Sequence, residues 1–170
     1  MDFKKLYKKR SWRELLLYSV ILVAGILADQ LTKLLAVSLL KPVHSVPLWE
    51  EVLHLTYVEN RGAAFGMLAD APWVFNTISI ITVIIILGYL YLGHAENTLY
   101  AVSLSMIASG GIGNLIDRLS LGYVVDFIDF TLIDFAVFNG ADSFVCVGAG
   151  LLILALLLDI ARERREGTKK

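Results

Sequence analysis

Apolar side chains run along this chain in four long stretches separated by segments of mixed character. A helix crossing a hydrocarbon core of roughly 30 Å needs about 20 mostly apolar residues, since each adds about 1.5 Å. The stretches from about Leu15 to Leu40, Trp73 to Leu92, Thr98 to Ile116 and Ala141 to Leu158 come close to that length. They predict four transmembrane helices. The second is apolar on every face and rich in Ile, Val and Thr. Those residues would suggest a strand in water, but in lipid the backbone must bond within its own segment, which makes this stretch a helix. In the third, Ser105, Ser109 and Gly113 recur four residues apart, a stripe of small side chains that lets another helix approach closely. Gly110, Gly111 and Gly113 do not read as a phosphate-cradling loop, because no strand precedes them and no Lys-Ser or Lys-Thr follows.

The connecting segments carry other periods. Within residues 41–72, Leu53, Leu55 and Tyr57 alternate with His54, Thr56 and Val58, which predicts strands. The Asn60-Arg61-Gly62 turn then leads into Ala63, Ala64 and Phe65, an apolar patch expected to lie on the membrane as a short helix. Residues 117–140 interleave Phe127, Ile128, Phe130, Leu132, Ile133, Phe135 and Phe138 with Asp126, Asp129 and Asp134, the makeup of an interfacial segment. The expected fold class is an all-α integral membrane protein: four transmembrane helices, a small extracytoplasmic β-rich segment and a short interfacial helix. Without an internal repeat or a long linker, residues 1–170 are expected to form a single membrane-embedded domain.

Composition sharpens this picture. Hydrophobic residues make up 57% of the 170, with a mean hydropathy of +0.69, against roughly 45–50% apolar in soluble domains; the expected solvent is a bilayer. Six of the 15 Lys and Arg precede Leu15 and five follow Asp159. Basic residues flanking spans stay cytoplasmic, so both termini are expected inside and the two mixed segments outside. A cleaved signal peptide is the alternative for the first stretch, since Lys4, Lys5, Lys8, Lys9 and Arg10 precede Leu15–Ala28. No small-x-small site ends that block, and the apolar pattern resumes after Gln30, so the stretch reads as a retained span. A net charge of -1 argues against a nucleic-acid partner. The single cysteine, Cys146, allows neither an internal disulfide nor a cysteine-based metal site.

Ionisable groups in a span cost a few kcal/mol even on lenient scales, so they need a compensating reason. Asp29 and Lys33 stand four apart on the first helix and share a face, either as a structural ion pair or in a direct catalytic role. Asn114, Asp117 and Arg118 share a face of the third helix, which alone would suit a structural network or a snorkelling Arg. Asn139 and Asp142 open the fourth helix, where Asp142 suits an N-cap as well as it suits chemistry. All these groups fall at the outward ends of their helices, at the expected depth of Asn60 and Asp126. A polar cluster bordered by apolar side chains suits an amphipathic substrate. Two carboxylates held close cannot both ionise easily, so one stays protonated while the other takes a proton from an attacking water. Serine and zinc hydrolases lack their parts: there is no Gly-x-Ser-x-Gly or His-Glu-x-x-His, and His44, His54 and His94 are isolated from one another.

Five motifs carry a resemblance to the lipoprotein signal peptidases along nearly the whole chain. They are Asp29-Gln30-Leu31-Thr32-Lys33, Asn60-Arg61-Gly62-Ala63-Ala64-Phe65-Gly66, Gly110-Gly111-Ile112-Gly113-Asn114-Leu115-Ile116-Asp117-Arg118, Val124-Val125-Asp126-Phe127 and Phe138-Asn139-Gly140-Ala141-Asp142-Ser143. The resemblance implies an aspartic endopeptidase of the bacterial inner membrane with Asp126 and Asp142 as its catalytic pair. The residues alone do not choose those two over Asp117 or Asp129. It further implies that Asn60, Asn114, Arg118 and Asn139 support the pair or hold substrate, while Asp29 and Lys33 order the site. The implied substrate is a prolipoprotein whose lipobox cysteine carries diacylglycerol, cut on the amino side of that cysteine near the extracytoplasmic face. No metal or other cofactor is implied, and the chain is expected to act as a monomer among membrane lipids. One departure is Gly140, where the family pattern has a branched aliphatic residue. The rival readings are an ion or proton transporter using the Asp and Arg cluster, a metal-dependent lipid phosphotransferase, and a structural scaffold.

Overall fold

The structure, a computed structural model, describes residues 11–62, 72–92 and 97–167. The short interfacial helix expected at Ala63, Ala64 and Phe65 lies outside the described residues, as do His94 and the N-terminal basic cluster before Ser11. Helix α1 spans Trp12–Leu35 and runs on into a π-helical turn, Ala36–Leu40. It begins three residues before the first apolar stretch because Ser11 and Glu14 form a capping box. The Ser11 hydroxyl accepts the Glu14 N–H at 3.2 Å and the Glu14 carboxylate accepts the Ser11 N–H at 2.9 Å, so each satisfies a backbone donor of the other. Helix α2 spans Pro72–Tyr91, α3 spans Thr98–Ser120 and α4 spans Gly140–Gly167. Asn97 caps α3 by accepting the Leu99 N–H at 2.9 Å.

Three helices among the described residues are long and apolar enough to cross a membrane: α1 with its π turn, α3 and α4. The apolar run of α2, Asn76–Tyr91, is shorter. Aliphatic side chains stand more than half exposed on the outer faces of α1, α2 and α4, as at Leu31, Ile84, Ile85 and Leu157. Water would not leave such surfaces open, but lipid suits them.

The three strands are β1 (Ser45–Trp49), β2 (Leu53–Asn60) and β3 (Val124–Asp129), antiparallel in the order β1-β2-β3. The alternating pattern at Leu53–Val58 foreshadows β2. Strand β3 falls where only an interfacial segment is expected, and its first three residues are buried. Pairing Val58 with Asp126 and Asn60 with Val124 brings two distant segments to one edge. A buried cluster of Ala36, Leu40, Tyr57 and Val125 seats this sheet on the π turn of α1.

Helix α3 packs against α1, α2 and α4, and its small side chains make that possible. A Cβ on Gly110 would strike the Ala141 carbonyl oxygen of α4, and one on Gly113 would come within 2.5 Å of an Asp29 carboxylate oxygen of α1. The hydroxyls of Ser105 and Ser109 bond back to Ala101 and Met106 of the same helix at 2.7 and 2.8 Å, so the stripe buries no unpaired polar group there. Gly140 differs from these glycines. A Cβ there would meet Asp29 and Thr32 at 3.5 to 3.6 Å, ordinary contact distances, and Gly140 is not at positive φ. Gly140→Ala is therefore expected to stabilise the protein by roughly 0.5–1 kcal/mol through lower unfolded-chain entropy. Denaturant unfolding of the two proteins in the same lipid would measure it, and a destabilised variant would contradict it.

Candidate active site

Three asparagines hold two carboxylates, and each amide is oriented by a donor to its own oxygen. Asn60, at the end of β2, accepts the Gly62 N–H at 3.0 Å, which turns its NH2 onto Asp126 Oδ2 at 2.8 Å. Asn139, just before α4, accepts the Asp142 N–H at 3.0 Å and donates through Nδ2 to Asp126 Oδ1 at 2.6 Å. Asn114, on α3, accepts both Lys33 Nζ at 2.9 Å and Asn139 Nδ2 at 3.0 Å. Its own Nδ2 is thereby left to donate to Asp142 Oδ1 at 2.8 Å. Two donors on one oxygen remove the ambiguity between amide oxygen and nitrogen.

Asp142 serves α4 as well. Its Oδ2 accepts the Asn139 N–H at 3.2 Å while Asn139 accepts the Asp142 N–H, a reciprocal cap at the helix start. The capping role and the site role thus coincide, because the helix opens where its N-terminal N–H groups favour an anion. The preceding residue pins this end to the sheet: Phe138 exchanges backbone hydrogen bonds with Ile128 of β3 at 2.8 and 3.0 Å.

Behind the asparagines lies a buried ionic layer. Lys33 pairs with Asp29 at 2.9 Å and with Asp117 at 3.0 Å, and all three are at most 3% exposed. Asp29 also accepts the Ala141 N–H at 2.8 Å, joining α1 to the first turn of α4. The Asp29–Lys33 pair is thus an ion pair that reaches the site through its neighbours: Asn114, Asp117 and the Ala141 N–H. The trio expected on one face of α3 divides: Asp117 turns to Lys33 and Asn114 bridges inward. Arg118 lines the cavity beside Asp126 and Asp142, close enough to interact with both charges.

Gln30 and Asp117 belong to this layer; the sequence set Asp117 on one face of α3 with Asn114 and Arg118, but neither it nor Gln30 was assigned a role at the site. Gln30 Nε2 donates to Asp117 Oδ1 at 3.0 Å, to Asp29 Oδ2 at 3.2 Å and to the Gly113 carbonyl at 3.2 Å. Their polarity inside apolar stretches was the available signal. Asp129 is accounted for elsewhere, accepting the Thr56 hydroxyl at 2.7 Å.

Asp126 and Asp142 both line one cavity of about 610 Å³. Asn60, Asn114 and Arg118 supply its polar wall, and Phe135, Phe138, Cys146 and Val147 contribute to the apolar remainder. Phe138 stacks on Phe130 at 5.9 Å and meets the edge of Phe135 at 5.8 Å. Cys146 lies one helical turn beyond Asp142, a spacing that makes its place in the cavity legible in retrospect. Among the described residues no group of three or more His, Cys, Asp or Glu side chains is arranged to hold a metal ion.

Burial raises the pKa of Asp126 from the ordinary 3.8 to about 6, and the charge of Asp142 adds to the rise against the opposing hydrogen bonds from Asn60 and Asn139. This is the arrangement in which one carboxyl group keeps a proton near neutrality. It also has a signature in stability. The folded state binds the Asp126 proton more tightly than the unfolded chain, so this group's contribution is favourable below about pH 4 and is lost as pH rises through about 6. Relative to Asp126→Asn, the wild type is expected to lose roughly 3 kcal/mol across that window. Parallel unfolding curves from pH 4 to 7 would test it, and a difference independent of pH would refute it.

Residues 21–158 match the family model described as signal peptidase (SPase) II. A lipoprotein signal peptidase of Caldanaerobacter subterraneus is 51% identical over 133 residues, covering 78% of this chain and 90% of that protein. Those of Halothermothrix orenii and Clostridioides difficile are 44% and 40% identical, covering 83% and 88% of this chain and 94% and 100% of theirs. Two solved structures, each described as a bacterial membrane enzyme determined in meso, are both 34% identical. They superpose with TM-scores of 0.80 and 0.74 and cover 92% and 89% of this chain and 94% and 97% of their own. With the family model spanning most of the chain and relatives matched along nearly their full lengths, this bacterial membrane protein belongs to the signal peptidase II family.

Proposed function

We propose that Asp126 and Asp142 are the catalytic pair with which this chain removes signal peptides from prolipoproteins, cutting on the amino side of a diacylglyceryl-modified cysteine. The observation that carries the assignment is the pair of carboxylates, each fixed by asparagine amides, on the wall of one largely apolar cavity. Membership of the signal peptidase II family makes the chain an aspartic peptidase acting on prolipoproteins. The pair shares one proton. The ionised member takes a proton from water as its oxygen attacks the scissile carbonyl carbon, and the protonated member donates to the carbonyl oxygen. Collapse of the tetrahedral intermediate then breaks the C–N bond: the amine leaves with the proton held by the first carboxyl group, and one hydroxyl of the intermediate gives its proton to the second, which leaves a carboxylic acid product and restores the singly protonated pair. No metal enters this scheme. Asn60, Asn114 and Asn139 hold the two carboxyl groups in register, Arg118 holds substrate carbonyl or developing charge beside them, and Asp29 with Lys33 keeps the supporting amides oriented.

The same reading has residues 1–170 as one domain crossing the bacterial inner membrane four times, with both termini cytoplasmic and the cavity near the outer face. Its support is the division of basic residues between the two ends and the clustering of polar groups at one end of α1, α3 and α4. The same reading has the chain working as a monomer among lipids that hold the substrate's acyl chains. A transporter has no comparable observation behind it. The deciding experiment is cleavage of a diacylglyceryl-modified prolipoprotein by the purified chain in lipid with excess chelator. Cleavage that depends on the diacylglyceryl group and ignores chelator is expected; failure to cleave by correctly inserted protein would overturn the reading.

A further inference from the structure

Strand β3 is an edge strand, and Val125, next to Asp126, is buried, only 1% exposed as a whole residue. An edge N–H in such a place must find a partner other than water. It finds Asp117, whose Oδ2 accepts it at 3.0 Å, while the Val125 carbonyl accepts Asn139 Nδ2 at 3.3 Å. Asp117 is itself immobilised, 3% exposed and held by Lys33 Nζ and Gln30 Nε2 at 3.0 Å each. The end of α3 therefore grips β3 one residue before the carboxylate that faces the cavity, using an acceptor whose position is set by α1.

The geometry points to Asp117 as a positioning residue, which sets the Asp126 carboxylate against Asp142 by holding the Val125 N–H. Asp117 is not among the residues lining the cavity, and its carboxylate bonds Lys33, Gln30 and the Val125 N–H, so it reaches Asp126 through the strand. The contact uses the second carboxylate oxygen, which is also the one paired with Lys33; this couples the charge of the buried layer to the placement of the strand.

The inference rests on the assignment of Asp126 to the catalytic pair, and the experiment separates the two. α-Hydroxyvaline placed at position 125 by cell-free synthesis into lipid nanodiscs replaces the N–H with an ester oxygen and leaves every side chain intact. It is measured beside Asp117→Ala, Asp117→Asn, the combined ester with Asp117→Ala, and Asp126→Asn, with a diacylglyceryl-modified prolipoprotein as substrate. Small misplacements of a reacting group cost on the order of 100-fold in rate. The ester and Asp117→Ala are each expected to lower kcat by about 10- to 100-fold with KM unchanged. The combination is expected to be no slower than Asp117→Ala, because both remove one contact, and Asp117→Asn, which keeps an acceptor oxygen, should retain more kcat than the alanine variant. An ester protein with wild-type kcat, or losses that multiply in the combination, would overturn the positioning role. Should Asp117→Ala fail to insert, the ester alone decides. Turnover by Asp126→Asn would instead bring down the assignment of the pair.

Discussion

Asp126→Asn and Asp142→Asn are each expected to abolish cleavage of a diacylglyceryl-modified prolipoprotein, lowering turnover by roughly 10³-fold or more while the protein still inserts and folds. Acid-base catalysis by one positioned group contributes about 10²- to 10⁴-fold, and here each carboxyl group has both roles within one cycle. Asparagine keeps the size of the side chain but can neither take the proton of water nor return one. Its amide nitrogen also meets donors that a carboxylate accepts: Asn60 and Asn139 at Asp126, and Asn114 with the Asn139 N–H at Asp142. The double variant should be no slower than either single one, since the pair works as a unit. A gel-shift assay over hours, with insertion checked by protease protection, would measure this. Cleavage within tenfold of wild type by either inserted variant would remove that aspartate from the pair.

The second large effect concerns stability. Lys33→Met is expected to destabilise the protein by about 3–5 kcal/mol, the usual cost of leaving a buried charge without its partner. Two carboxylates, Asp29 and Asp117, lose their shared cation, and Asn114 loses the strongest donor to its oxygen. Adding Asp117→Asn to Lys33→Met should recover part of the loss, because it removes one of the two stranded charges. Unfolding in a fixed lipid composition would measure both steps. A loss under about 1 kcal/mol would mean that solvent reaches the layer, contrary to its burial.

Much of the fold was legible because a bilayer leaves a chain few options. Long apolar stretches must be helices in lipid, and the apolar blocks matched the ends of α1 to α4 within about four residues, apart from the C-terminal end of α4, which runs on to Gly167. Those ends depended on polar residues outside the blocks, such as Ser11 and Glu14 before α1 and the charged last turns of α4. Strand β3 was not legible. The run from Val124 to Asp129 becomes a strand only by pairing with β2, and its contact between Asn60 and Asp126 spans 66 residues of chain.

For the site, sequence by itself determined which polar groups share a helical face and which end of each helix they occupy, since spacing along one element sets both. It left Asp117, Asp126 and Asp129 equivalent on local grounds until the family resemblance chose among them. Only the tertiary structure gave each a separate environment: Asp117 against Lys33 and the Val125 N–H, Asp129 against Thr56, and Asp126 between two asparagines on the cavity wall. The physical reason is distance along the chain. A carboxylate's chemistry depends on burial and on its donors, and the donors here come from other elements, as when Asp29 of α1 holds the Ala141 N–H across 112 residues; local spacing carries no record of such pairings, which exist only once the helices and the sheet have closed on one another.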